Sequence, residues 1–229
     1  RRMLETAAGS GVLARALAPL LDPDARYRAT DLSPEMLVRA QARMGDGSKI
    51  EFEPADAQTP LYPDDTFDVV ACQFGVMFFP DLDAALREAR RVLRPGGTFV
   101  LSVWDRIETN GFAALVHDVA VSAFREHPPD FLNRLPHGFY NTEALRDRLV
   151  AAGFRKVETA VFEGISHAAS AKEPALGYVQ GTPLRSEIEV RDRAALPEIT
   201  AMAEARIAEH YGAGPVAAPI RGYVLTAKA

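Results

Sequence analysis

The chain has very little cysteine, with Cys72 as the single residue of this type among 229. One cysteine excludes an internal disulfide and any metal site built from several cysteines, and it favours a reducing, cytoplasmic location. The chain also lacks any run approaching the roughly 20 apolar residues of a membrane-spanning helix, so no membrane span is expected. Near the amino terminus the apolar residues are interrupted by Glu5 and Arg15, which excludes a secretory signal peptide.

An excess of basic residues is missing as well. The formal net charge is -5, whereas nucleic-acid binding usually requires a basic face, so no nucleic-acid partner is expected. The composition is 48% apolar, and a chain of this size can bury a core that needs no disulfide to stabilise it. These numbers favour one large domain with insertions, or one and a half domains. Residue 1 lies almost inside the first predicted strand, which leaves open whether residues upstream of Arg1 are missing.

The stretch from Glu5 to Asp31 carries the main functional signal. A short apolar strand leads into the small-residue turn Thr6-Ala7-Ala8-Gly9-Ser10-Gly11, a helix follows, and a second strand ends on Asp31. Gly11 and Asp31 are 20 residues apart, which is the spacing of a nucleotide-binding βαβ unit whose acid accepts hydrogen bonds from ribose hydroxyls. The pattern predicts an adenosine-containing cofactor, but NAD, FAD and S-adenosylmethionine (SAM) folds share it.

The apolar pattern alternates between strands and helices as far as Trp104. Four strand–helix repeats in order predict a parallel sheet that is covered on both faces. Beyond this point the pattern predicts helices at 112–126 and 142–152, a loop at 127–140 and at least one long helix within 166–220. The predicted strands are Arg2–Thr6, Tyr27–Thr30, Ile50–Glu53, Phe67–Gln73, Thr98–Trp104, Val157–Ile165 and Tyr223–Ala227.

Three further segments distinguish among the nucleotide-binding folds. Glu53-Pro54-Ala55-Asp56-Ala57 follows the third strand, Leu61-Tyr62-Pro63-Asp64-Asp65-Thr66-Phe67-Asp68 leads into the fourth, and Leu86-Arg87-Glu88-Ala89-Arg90-Arg91-Val92-Leu93-Arg94-Pro95-Gly96-Gly97 leads into the fifth. Together with the opening turn they resemble the class I SAM-dependent methyltransferases, in particular the small-molecule enzymes of the ubiquinone/menaquinone C-methyltransferase group. The resemblance covers about residues 1–105.

The resemblance implies a fold and an activity. The expected fold is Rossmann-like α/β, with a seven-stranded, mostly parallel sheet of order 3-2-1-4-5-7-6, an antiparallel strand seven and helical lid insertions. The expected organisation is a single domain over 1–229. It would comprise a SAM-binding core at 1–105, substrate-side segments at 106–165 and 166–220, and the last strand at 221–229. The expected activity is methyl transfer to a small organic acceptor.

The resemblance also implies a cofactor site. Glu5 would lie near the amino end of the methionine part of SAM, and Asp31 would bind the ribose. The family often has glycine where this chain has Ala7, and alanine would be costly there if the turn needs a positive φ. The remaining expected cofactor contacts are Gly9 and Gly11 in the turn, Leu32 and Met36 at the faces of the adenine, Asp56 and Ala57 at its polar edge, and Gln73 and Phe74 beside the sulfonium.

No catalytic residue and no metal ligand are assigned. Gln73 stands where metal-dependent catechol O-methyltransferases have a carboxylate, so no catalytic metal is expected. The run Gln73-Phe74-Gly75-Val76 differs from the Asn-Pro-Pro-Tyr run of the DNA adenine methyltransferases, which counts against that activity. The sequence leaves open the acceptor atom, the use of a general base and the presence of a homodimer.

The acceptor pocket is expected among the insertions. Connections as long as 127–140 and 166–220 are usually functional, and we expect both to pack over the carboxyl ends of strands four and five. The candidate pocket residues are Met77, Trp104, His137, Tyr140 and Gln180. Two alternatives remain open: an NAD-dependent oxidoreductase, which requires a second nucleotide-binding half, and a SAM-binding module without catalysis.

Overall fold

Strands and helices alternate through the first half of the chain. A computed structural model describes residues 1–45, 49–59 and 62–229. Short 3-10 turns at Ala18–Leu20 and Val76–Phe78 interrupt the alternation. The elements in this half are β1 Arg2–Glu5, α1 Val12–Leu17, β2 Arg26–Asp31, α2 Pro34–Met44, β3 Ile50–Pro54, β4 Phe67–Gln73, α3 Leu82–Val92 and β5 Leu93–Trp104.

Helices dominate the second half. The segment 127–140, which was predicted as a loop, contains a short helix, and the segment 166–220 holds three helices. Further 3-10 turns occur at Ile107–Thr109 and Arg193–Ala195. The elements are α4 Gly111–Ala123, α5 Phe131–Arg134, α6 Thr142–Ala151, β6 Arg155–Ala168, α7 Lys172–Gln180, α8 Leu184–Asp192, α9 Leu196–Tyr211 and β7 Val216–Lys228.

The seven strands form one sheet in the order β3-β2-β1-β4-β5-β7-β6. The pairs β1–β2, β1–β4, β2–β3 and β4–β5 are parallel. β7 runs antiparallel to β5, because Gly97 O accepts from Ala229 N at one end and Arg221 O accepts from Asp105 N at the other. The predicted strand order and the antiparallel last strand are confirmed.

β5 begins earlier than the sequence predicts. Pro95-Gly96-Gly97 was expected to separate the preceding helix from a strand starting at Thr98, but β5 starts at Leu93, directly after α3. Leu93 pairs with Phe67 of β4, and a register irregularity follows in the ladder. Gly96 has φ 78°, so glycine lets the chain turn through the irregularity while it remains extended.

The start of α2, shortly after Asp31, shows how local sequence fixes a helix boundary. The Ser33 side chain accepts a hydrogen bond from Met36 N at 3.3 Å, and Pro34 occupies the first turn. Both features are typical of helix starts. The sequence predicts that Gly45-Asp46-Gly47 ends this helix; Gly45 is its C-cap, whereas Asp46 and Gly47, like Leu61 of the strand-four segment, lie outside the described residues.

The chain divides into two compact units. One comprises Arg1–Val103, Asn141–Ala160 and Tyr223–Ala229, and the other comprises Trp104–Tyr140 and Val161–Gly222. In the first unit, buried Tyr27 and Ala29 of β2 pack with Ala14 of α1. In the second, α4, α7 and α9 share a core that is built around residues such as Val116, Val179 and Ile207. The expected position of the insertions over the strand ends stays a prediction, as does the single-domain organisation.

Candidate functional site

The turn after β1 is held in an unusual backbone conformation. Ala7, Gly9 and Gly11 all have positive φ, at 52°, 54° and 75°. A Cβ added at Gly11 would lie 2.9 Å from the Ala40 Cβ on α2, so glycine is needed there for both conformation and packing. A Cβ added at Gly9 would have no heavy atom within 4 Å, so the backbone at Gly9 is open to a ligand.

Asp31 ties this turn to the end of β2. Its Oδ2 accepts a hydrogen bond from Gly9 N at 2.8 Å, and its Oδ1 accepts one from Ser33 N at 2.8 Å. Two backbone donors therefore fix the carboxylate beside the turn, 22 residues from Gly9 along the chain. Each carboxylate oxygen can accept more than one hydrogen bond, so Asp31 retains acceptor capacity for ribose hydroxyls. The structure thus brings together the turn and the acid that the sequence spacing predicts.

Ala7 is accommodated by a glycine in the turn after β4. A Cβ added at Gly75 would lie 2.5 Å from the Ala7 Cβ and 2.8 Å from Cys72 Sγ. Gly75 therefore leaves the space that the Ala7 methyl group fills. Because φ at Ala7 is positive, alanine costs about 1–2 kcal/mol relative to an unstrained conformation. Alanine in place of the glycine that the family often has is therefore unfavourable at this position.

Glu5 is a buried acid beneath the turn. It is 1% exposed, and its Oε2 accepts a hydrogen bond from the Tyr27 hydroxyl at 2.5 Å. Burial raises the pKa of Glu5 from 4.5 to about 7; the Tyr27 hydrogen bond opposes this rise, and the negative charge of Asp31 adds to it. The carboxyl group is therefore poised to exchange a proton near neutral pH.

The residues predicted to hold the adenine present apolar surface and one acid. Leu32 is 74% exposed and Met36 is 40% exposed, so two apolar side chains lie open directly after β2. Asp56 is half-buried, and its Oδ1 accepts from Gln58 N at 2.9 Å. Ala57 is also half-buried. Their contacts with adenine stay predictions.

The end of β4 carries the residues that were predicted to lie beside the sulfonium. Gln73 is half-buried and pairs with Ser102 of β5. Phe74 has φ 53°, and its N donates to Ser102 O at 3.2 Å. Met77 is 2% exposed, so its side chain is buried in this structure. These roles stay predictions.

Four of the five predicted pocket residues lie in the second unit, and three of these four contact or adjoin Asp105 and Arg106. His137 is 4% exposed, and its Nδ1 is 2.8 Å from Asp105 O. Burial lowers the pKa of His137, against the opposing effect of this contact. A neutral ring that donates Nδ1–H to a carbonyl carries its lone pair on Nε2. The Trp104 ring centroid lies 6.4 Å from that of His137, and the Tyr140 ring lies 4.6 Å from the Arg106 guanidinium carbon.

Gln180, the fifth predicted pocket residue, bonds within the helical core. Its Nε2 donates to Thr200 Oγ1 at 3.0 Å and so links α7 to α9. This contact gives Gln180 a structural role. Its role in acceptor binding stays a prediction.

The sequence interpretation missed Tyr27 and Gly75. Tyr27 in an apolar strand reads as a core residue, and nothing local shows that it reaches Glu5. Gly75 follows a strand as many turn glycines do, and only the structure shows the Ala7 methyl group against it. Both signals depend on contacts between distant segments.

Two features are absent from the described residues. Among them, no group of three or more His, Cys, Asp or Glu side chains could hold a metal ion. No helix within the described part of the chain is long and apolar enough to cross a membrane. The expectation that no catalytic metal is used stays a prediction.

Known proteins match this arrangement. A family model described as a methyltransferase domain matches residues 4–101. The demethylmenaquinone methyltransferase of Chlorobaculum parvum is 31% identical over 166 residues, which are 69% of this chain and 67% of the relative. The chain belongs to the class I SAM-dependent methyltransferases. The cofactor of this family is S-adenosyl-L-methionine.

Other known proteins are similar to different shares of the chain. The uncharacterized Mycobacterium tuberculosis protein Rv1405c is 43% identical over 104 residues, which are 45% of this chain and 37% of that protein. The chain therefore spans well under half the length of the first curated relatives that it matches. The YcgJ protein from Bacillus subtilis covers 99% of this chain and 91% of its own, at 18% identity and a TM-score of 0.61, which shows the same fold.

Proposed function

We propose that the protein transfers the methyl group of SAM to a small organic acceptor by in-line displacement. The observation that carries the proposal is the pair of 2.8 Å hydrogen bonds by which Asp31 joins Gly9 and Ser33. They hold an acid with spare acceptor capacity against an open glycine turn, which is the arrangement that adenosine cofactors require.

The residues around the turn have distinct proposed roles. Asp31 accepts hydrogen bonds from the ribose hydroxyls, and Glu5 lies near the methionine ammonium. The exposed side chains of Leu32 and Met36 cover the faces of the adenine, and removing that apolar surface from water stabilises the complex. The remaining proposed contacts are the turn residues Ala7, Gly9 and Gly11, the adenine-edge residues Asp56 and Ala57, and the sulfonium-side residues Gln73 and Phe74.

The proposed chemistry makes limited demands on the protein. Bound SAM supplies a methyl group that is activated by a positively charged sulfur. The protein must align the acceptor atom with the methyl–sulfur bond and exclude water, and positioning of this kind can supply much of a rate enhancement. A general base is required only when the acceptor atom carries a proton at the working pH. His137, neutral and with Nε2 as its lone-pair atom, has the properties of such a base.

The acceptor is proposed as a small molecule. The relative from Chlorobaculum parvum is named as a demethylmenaquinone methyltransferase, and this name supports an organic acceptor. Met77, Trp104, His137, Tyr140 and Gln180 are the proposed acceptor residues, and the acceptor atom is left open among carbon, nitrogen and oxygen. We further propose a cytoplasmic location and no nucleic-acid partner; a homodimer stays open.

The experiment that tests this function combines binding and turnover. Calorimetry with SAM and with NAD distinguishes the methyltransferase from the oxidoreductase alternative, since only one ligand is expected to bind. Formation of S-adenosylhomocysteine is then measured with a panel of quinols, phenols and amines. We expect SAM to bind and one acceptor class to release S-adenosylhomocysteine. Binding of SAM with no turnover on any class would favour the non-catalytic module, and binding of NAD alone would refute the proposal.

A further inference from the structure

Tyr27 and Glu5 form a buried pair beneath the cofactor turn. In the β1–β2 ladder Met3 pairs with Tyr27, and Glu5 pairs with Ala29. Tyr27 and Glu5 are therefore diagonal neighbours, and alternation along the strands directs both side chains to the same face. Each is 1% exposed, and the Tyr27 hydroxyl lies 2.5 Å from Glu5 Oε2.

No positively charged side chain in the described part of the chain compensates this carboxylate. Among the described residues, Glu5 forms no ion pair. The Tyr27 hydroxyl is the donor to its side chain, and that bond satisfies one oxygen. A buried carboxylate without a cation favours its protonated form, which agrees with a pKa of about 7.

The other titratable groups around Glu5 do not change this balance. Asp31, at the end of β2, carries a negative charge that raises the pKa of Glu5. On β4, burial raises the pKa of the Cys72 thiol to about 12, so the thiol is neutral. Burial also raises the pKa of Tyr27, so its hydroxyl remains a donor. Arg15 on α1 donates to Ser10 O. Because residues 1–45, 49–59 and 62–229 supply no cation to this carboxyl group, a ligand ammonium is the cation that we consider.

We propose that Tyr27 is a positioning residue that holds Glu5 so that its carboxyl group releases a proton to solvent when the methionine ammonium of SAM binds. The inference rests on the proposed function, because it needs the cofactor in the turn. The ammonium would stabilise the carboxylate, as opposite charges in contact do. The O–H bond of the carboxyl group breaks, buffer takes the proton, and the ion pair with the ligand forms. Cofactor affinity is thereby linked to pH.

The test uses calorimetry with S-adenosylhomocysteine, which carries the same ammonium. By linkage, affinity should be about tenfold weaker at pH 6 than at pH 8 if the free carboxyl group has a pKa near 7. Repeating the titration in buffers of different ionisation enthalpy counts the protons released. Glu5→Gln should remove this part of the pH dependence. The ligand's own amino group titrates equally with every variant, so the difference between wild type and Glu5→Gln isolates Glu5.

Tyr27→Phe tests the positioning role. Phenylalanine keeps the ring in the core but removes the hydrogen bond that stabilises the charged carboxylate. The pH at which affinity is half-maximal should therefore move upward, and more protons should be released at pH 7. A purely structural role would weaken binding equally at every pH. Tyr178→Phe, in the second unit, is the matched control and should leave the profile unchanged.

Further outcomes separate this inference from the proposed function. 5′-Methylthioadenosine lacks the amino acid part, so its affinity should not follow the titration of Glu5. If S-adenosylhomocysteine binds with the same pH profile in wild type, Glu5→Gln and Tyr27→Phe, the inference is wrong and the proposed function stands. If the folded wild-type protein binds no S-adenosylhomocysteine at any pH, both are overturned.

Discussion

Replacing Glu5 by glutamine should stabilise the protein without ligand, and the gain should depend on pH. A raised pKa means that the folded state binds the Glu5 proton more tightly than the unfolded state does. The stability from this proton is fully present below pH 4.5, and it is lost as pH rises through about 7. Glutamine imitates the protonated side chain at every pH and can still accept the hydrogen bond from Tyr27.

The magnitude follows from the two pKa values. A pKa of about 7 in the folded state and 4.5 in the unfolded state corresponds to about 3 kcal/mol over the whole titration. Between pH 5 and pH 8 the free energy of unfolding of Glu5→Gln should therefore rise by about 2–3 kcal/mol relative to that of wild type. The comparison at each pH cancels the titration of all other groups.

Urea denaturation of both proteins at pH 5, 6, 7 and 8 measures this difference. Glu126→Gln provides the matched control, because Glu126 is exposed and its substitution should leave the difference from wild type independent of pH. A difference for Glu5→Gln that is constant across the range would refute the account of Glu5 as a buried, protonated acid. So would a difference that shrinks as pH rises.

Three other perturbations have defined outcomes. Asp31→Ala should weaken SAM binding by about 1.5–3 kcal/mol in calorimetry, as expected for lost hydrogen bonds to a charged group; unchanged affinity in a folded variant would exclude the ribose role. Gly75→Ala should lower the free energy of unfolding by about 1–3 kcal/mol through overpacking against Ala7 and Cys72. Ala7→Gly should restore part of that loss in the double variant, and additive effects would contradict the contact. Chelator should leave methyl transfer unchanged, because Gln73 lacks the charge that a hard cation prefers; loss of activity that magnesium restores would overturn this.

Local patterns predict the fold closely where elements are short and bounded by turn residues. The sequence predicts β4 at Phe67–Gln73, and the structure has β4 at these residues. A short continuous apolar run that is bounded by turn residues is typical of a buried strand. The start of β5 is not predicted, because Pro95-Gly96-Gly97 is typical of a break between elements. In the structure it lies in a register irregularity between Leu93 and Thr98, which both pair with β4. Gly96 and Gly97 hydrogen-bond Ala229, directly after β7. Within 166–220 the spacing of apolar residues predicts α9 but neither α7 nor α8. Those two helices are stabilised by packing against segments that are distant in sequence.

The sequence predicts the contacts of the candidate site that lie within one βαβ unit, but not those that depend on how strands pair. The spacing between the glycine turn and Asp31 predicts that Gly9 and Asp31 lie close together, as their hydrogen bond shows. In a βαβ unit of this length the end of the second strand lies beside the turn after the first. The Tyr27–Glu5 pair depends on the register of β1 against β2, and the fit of Ala7 against Gly75 depends on how β1 lies beside β4. Neither register nor close approach can be read from spacing along one segment.

Following the methyl group itself is the most direct test of methyl transfer. SAM carrying an isotopically labelled methyl group is incubated with the wild-type protein or Asp31→Ala and the acceptor panel, and mass spectrometry measures labelled product and S-adenosylhomocysteine. At a fixed, subsaturating SAM concentration we expect equal amounts of the two with wild type and a large reduction of both with Asp31→Ala. A wild-type protein that binds SAM but transfers no label to any small acceptor would contradict methyl transfer as its function.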